Sequence, residues 1–129
     1  MQDYVYRYSD GIHEFIFLET GTAPFRVICD HFERIIIAED AHAHCIRYLL
    51  DLRLADFQEP MYEVVAGLRG ITTRHPNRPA SSLALVARPH PINRFLNVTV
   101  TLISRKIDRF KLFESNSIQD ALDWLKPAS

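Results

Sequence analysis

The stretch Ile46-Arg47-Tyr48-Leu49-Leu50-Asp51-Leu52-Arg53 constrains this chain more than any other. A strand-compatible run begins at Ile46 and closes in Asp-Leu-Arg, between a polar linker and Phe57-Gln58-Glu59-Pro60. A strand half in water alternates apolar with polar residues; a run this apolar reads as a strand covered on both faces. Such strands occupy the middle of mainly parallel sheets, and α/β proteins place their sites among the polar residues at the carboxyl ends.

The segments around it supply the rest of a sheet. Tyr4-Val5-Tyr6-Arg7-Tyr8 and Ile12 to Leu18 flank Ser9-Asp10-Gly11, which predicts an antiparallel hairpin closed by an Asp-Gly turn. Alternation puts the three tyrosines on one face of the first strand. Thr22 and Pro24 open a helix whose stripe is Phe25, Ile28, Cys29, Phe32, Ile35 and Ile36, fading near Asp40. Pro60 opens a second helix with Met61, Val64, Val65, Leu68 and Ile71 as its buried stripe, ended by Arg74-His75-Pro76-Asn77-Arg78-Pro79. Leu83 to Ala87 reads as another central strand and Arg109 to Phe113 as a strand at an edge or with one exposed face.

Ile92 to Lys106 reads two ways. Ile92, Phe95, Leu96, Leu102 and Ile103 fit a helical stripe, while Asn97 to Leu102 has strong β propensity. We take it as a helix, because the chain needs a crossover before the strand at Arg109. Ser117-Ile118-Gln119-Asp120 reads as a capping box that opens a last helix, stopped by Pro127. The expected architecture is a single α/β domain over residues 1–129. Its five-stranded mixed sheet joins an N-terminal antiparallel hairpin to parallel strand-helix-strand units, with four helices.

This order, with Asp51-Leu52-Arg53 followed by a short loop and a helix, resembles the STAS superfamily, the fold of bacterial anti-sigma-factor antagonists. The end, a strand finishing Leu112-Phe113 and a helix ending Ala121-Leu122-Asp123-Trp124-Leu125, is similar to its SpoIIAA-like branch. The resemblance implies a regulatory module that works by binding a protein partner or a second copy of itself. In the family's regulatory members a serine in an Asp-Ser-Ser-Gly-like turn is phosphorylated. Here that turn falls at about Glu59-Pro60-Met61-Tyr62, and no Ser or Thr stands between Asp51 and Ala66. The phosphorylation switch is therefore not carried over. The branch also resembles lipid-binding α/β domains, so the rival expectation is a binder or carrier of a small apolar or lipid-like ligand.

Composition narrows the partners. With 15 Lys+Arg against 16 Asp+Glu, the net charge is −1 and no overall field draws the chain to nucleic acid or anionic lipid. The longest apolar runs, such as Ile35 to Ala38, are too short to span a bilayer. The start Met1-Gln2-Asp3-Tyr4 has neither the basic nor the apolar region of a signal peptide, and the two cysteines do not make a disulfide framework. A cytoplasmic protein is expected.

The candidate binding residues are those of the carboxyl rim: Arg53, Asp56, Gln58, Glu59, Arg88 and His90. Helix starts there supply free amides and positive dipole ends. His90 with Glu59 or Asp56 has the residue types of acid-base chemistry, but any α/β domain gathers such residues there, so no catalytic set is assigned. His42-Ala43-His44-Cys45 carries metal-ligand types, yet in an extended segment the histidines point one way and Cys45 the other, so no metal or cofactor is expected. Cys29 is expected as a core thiol, the tyrosines as a half-buried hairpin face or dimer surface, and Arg74 and Arg78 as solvated turn residues.

Overall fold

The computed structural model describes residues 4–17, 25–39, 45–54, 61–89, 108–114 and 118–126, together with Asn93, Arg94, Asn97, Val98 and Thr101. Strands β1 (Tyr4–Ser9), β2 (Ile12–Phe17), β3 (Cys45–Asp51), β4 (Ala80–Ala87) and β5 (Arg109–Glu114) form one sheet in chain order. β1 and β2 are antiparallel and the other three pairings are parallel. The hairpin turns on Asp10 and Gly11, with φ of 55° and 76°. Positive φ at both central residues matches the right-handed twist of the flanking strands, and Asp-Gly tolerates it.

Three helices are found among the described residues rather than the four expected: α1 (Phe25–Glu39), α2 (Met61–Arg74) and α3 (Gln119–Leu125). The fourth was expected over Ile92 to Lys106, most of which lies outside the described residues. Its described positions 93, 94, 97, 98 and 101 have helical backbone, and Thr101 Oγ1 donates to the Asn97 carbonyl at 2.7 Å. Ser117, the cap residue of the expected capping box, lies outside the described residues. Ile118, with helical φ and ψ, stands at the start of α3 and makes no side-chain cap bond. Isoleucine has no oxygen to offer the free amides there.

β3 is buried on both faces, as its composition predicts. Ile46, Tyr48 and Leu50 join Phe15, Phe32, Ile36, Ile71 and Leu85 under α1 and α2. Leu49 joins Ala84, Val86, Ala121 and Leu125 on the opposite face under α3. The chain steps β2 to β3 to β4 in one direction, and right-handed crossovers then place α1 and α2 on the same face. No helix among the described residues is long and apolar enough to cross a membrane.

α1 and α2 meet at Gly67. A Cβ added there would stand 3.1 Å from the Sγ of Cys29, which is buried in the core beneath α1 and α2. Gly67→Leu is accordingly expected to lower stability by about 1–3 kcal/mol through overpacking, despite leucine's better helix propensity. The denaturation midpoint measures it, and Cys29→Ala in the same chain should return part of the loss.

Candidate functional site

At the carboxyl rim, Leu52 N donates to Val86 O at 2.8 Å, tying the ends of β3 and β4 together. Arg53 follows Leu52 directly and Arg88 follows Ala87, the last residue of β4, so both stand at the expected rim. Arg53 is turned onto its own strand: Nε and Nη2 fork the two oxygens of Asp51 at 2.9 and 2.8 Å. That bidentate bond holds the Arg53 proton more tightly than usual. Arg88 is exposed, and its carbonyl accepts from the buried Asn93 at 2.8 Å. Asp56, Gln58, Glu59 and His90 lie outside the described residues, as do His42 and His44. Among the described residues no group of three His, Cys, Asp or Glu could hold a metal ion.

Among the described residues two concavities lie elsewhere, one on each side of α1. The first is a cleft of about 100 Å³ between α1, α2 and the sheet. Phe32 and Ile36 line it from α1, Ile71 from α2, and Ile46, Tyr48, Leu83 and Phe110 from the sheet. The register explains the set: Tyr48 pairs with Leu83 and Leu83 with Phe110, so three neighbouring strands present apolar side chains to one face.

Its polar border, at the amino ends of β4 and β5, is built from Arg78, Ser81 and Asp108. Arg78 Nη2 meets Asp108 Oδ2 at 2.8 Å, with only 9% and 4% of the two side chains exposed. Asp108 Oδ1 also accepts from Ser81 N at 3.1 Å and Ser81 Oγ at 3.3 Å. Arg78 is thus a buried ion-pair partner and not the solvated turn residue expected from its setting between two prolines. Its partner lies 30 residues away, beyond any local pattern. Arg74 is also paired, at 2.6 Å with Glu33, which the imidazole of His75 reaches at 2.8 Å. Hydrogen bonds from Arg74 first, then His75, hold the Glu33 carboxyl below its ordinary range.

The second concavity, about 230 Å³ and more open, lies between the β1–β2 hairpin and α1. Tyr6, His13, His31, Arg34, Ile35 and Ala38 line it. Tyr6 Oη pairs with His13 Nδ1 at 2.6 Å and Tyr4 Oη with His31 Nδ1 at 3.0 Å. The Tyr6 and His31 rings stand 4.4 Å apart, and Phe15 meets His31 edge-on at 4.9 Å. The tyrosine face is therefore half-buried on its inner side, while Tyr8 is 58% exposed. Sequence reading identified the tyrosines but not their histidines, since α1 periodicity gives His31 no partner.

Burial, then the Arg34 charge and His13, push the His31 pKa below its ordinary 6.5. With the folded value the lower one, the unfolded chain binds the extra proton first. The His31 contribution is then full above about pH 6.5 and lost as pH falls from there through the folded value. A stability–pH curve should slope downward below pH ~6.5, and His31→Gln should flatten that slope.

A scan against protein-family models finds no match, and a search of curated proteins finds no similar sequence.

Proposed function

We propose that this chain is a non-enzymatic binding domain for a small ligand with a ring or short alkyl group. The α1–α2 cleft would hold that group. The observation that carries the reading is the lining: seven apolar or aromatic residues from five elements converge on open space. Every buried side-chain polar atom among the described residues already has a hydrogen-bond partner. The cleft therefore offers a guest dispersion and escape from water, with no unsatisfied donor asking for a polar head. Drug-sized sites run from about 300 Å³ upward, whereas engineered apolar cavities of about 150 Å³ take up benzene, so a cleft of this size suits one ring or a few carbons.

Native mass spectrometry of the purified chain, followed by thermal-shift measurements with short alkyl and single-ring compounds, tests this. A retained or added compound should raise Tm, and Leu83→Phe, which narrows the cleft from the sheet, should abolish the effect. A shift that survives Leu83→Phe would place the compound elsewhere and sink the reading.

The STAS resemblance supports a second reading, a module that pairs with a protein or a second copy through its hairpin. β1 is an outer strand with Val5, Tyr6 and Tyr8 exposed, and uncovered apolar edge strands are templates for pairing. Light scattering after chromatography should then give a dimer mass that Val5→Lys with Tyr8→Lys returns to the monomer. A monomer before substitution, with no partner retained, would dismiss it.

A further inference from the structure

We propose that the concavity between the hairpin and α1 binds a small anion, a carboxylate or phosphate group, through Arg34 and His31 with the Tyr6 hydroxyl beside them. Among the described residues the lining contains two imidazoles, one guanidinium and one phenol, and no carboxylate. Arg7, Arg53, Arg74 and Arg78 each carry a carboxylate partner. Arg34 is exposed, lines the concavity, and among the described residues makes no ion pair. It is a cation already aimed at an open site.

The rings around it are fixed in place. Tyr4 engages His31 at Nδ1, which sets the ring and leaves Nε2 as the atom to meet a ligand. Phe15, Tyr4 and Tyr6 pack on the His31 ring at centroid distances of 4.9, 6.1 and 4.4 Å. A guanidinium and an imidazole around one concavity supply the charge-assisted donors an oxyanion needs. Ile35 and Ala38 border it with apolar surface, which suits a compact organic anion better than a hydrated halide.

The groups facing His31 are Arg34 from its own helix, His13 from β2, and the tyrosines of β1. Among the described residues the charged neighbours acting on it are both basic and offer the imidazolium no counter-charge. A bound anion supplies one. By linkage it must raise the His31 titration midpoint as much as protonation of His31 tightens the anion.

NMR titration of the His31 ring in acetate, in inorganic phosphate, and in chloride at matched ionic strength tests this. Acetate or phosphate should raise the midpoint by at least about half a unit beyond chloride, and Arg34→Ala should remove that excess. Calorimetry with the same anion should show binding at least about tenfold weaker in Arg34→Ala, with Arg34→Lys intermediate. A response to acetate alone assigns a carboxylate ligand, and one to phosphate alone a phosphate. Equal midpoints in all three salts, or an excess that persists in Arg34→Ala, would overturn the proposal. Arg34 is exposed, so the substitution should not disturb folding; Arg34→Gln gives the same readout should Ala do so.

Discussion

Asp108→Ala is expected to cost about 3–5 kcal/mol of folding stability, among the largest losses available to a single substitution in this chain. The side chain is 4% exposed and paired with Arg78, itself 9% exposed, so its removal leaves a buried guanidinium without that counter-charge. It also strips the acceptor from Ser81 N and Ser81 Oγ at the start of β4. For a domain of this length the thermal midpoint should fall by on the order of 10–20 °C. Asp108→Asn keeps an oxygen for Ser81 but loses the charge, and should fall between. The informative comparison is Arg78→Met with Asp108→Leu, because replacing both charges by apolar groups avoids the uncompensated ion. Denaturant titrations should find that double variant more stable than Asp108→Ala alone. A double variant as unstable as the single one would show that the loss comes from the Ser81 contacts and not from the stranded charge.

Phe15→Ala should be as severe, at about 3–5 kcal/mol, for a different reason. Phe15 is fully buried on β2 and is the hub where the hairpin meets α1. Its ring meets Phe32 edge-on at 4.9 Å and His31 at 4.9 Å, and lies 5.2 Å from Tyr6 and 5.9 Å from Tyr4. Edge-to-face pairs add about 0.5–1.5 kcal/mol each to the burial term, and the space left cannot close without moving both α1 and the hairpin. Calorimetry should show the loss, and near-UV dichroism should weaken as the tyrosines lose their fixed surroundings. Phe15→Leu, which keeps most of the volume, should recover more than half. If Phe15→Ala cost under about 1 kcal/mol, the hairpin would fold without leaning on α1.

Much of the fold is legible in the residues because its causes are local. Asp10-Gly11 specifies a tight turn wherever it falls between two β-rich runs, since the left-handed backbone it needs suits those residues. The run from Ile46 reads as covered on both faces because no polar residue alternates through Tyr48-Leu49-Leu50. Cys29, Phe32, Ile35 and Ile36 declare the buried face of α1 through spacing alone.

The candidate sites were less legible. The carboxyl rim was expected from fold class; of its described residues Arg53 turns onto its own strand to grip Asp51, while Arg88 is exposed and offers its carbonyl to Asn93. What sequence alone determined is which segments become strands and helices and which faces are apolar, because turn chemistry and periodicity act within a few residues. Tertiary structure alone decided that Arg78 finds Asp108 and that Tyr4 finds His31, 30 and 27 positions apart. It likewise decided that open space remains on both sides of α1. Charge pairing and cavity formation depend on distance in space, and no local pattern along the chain carries that distance.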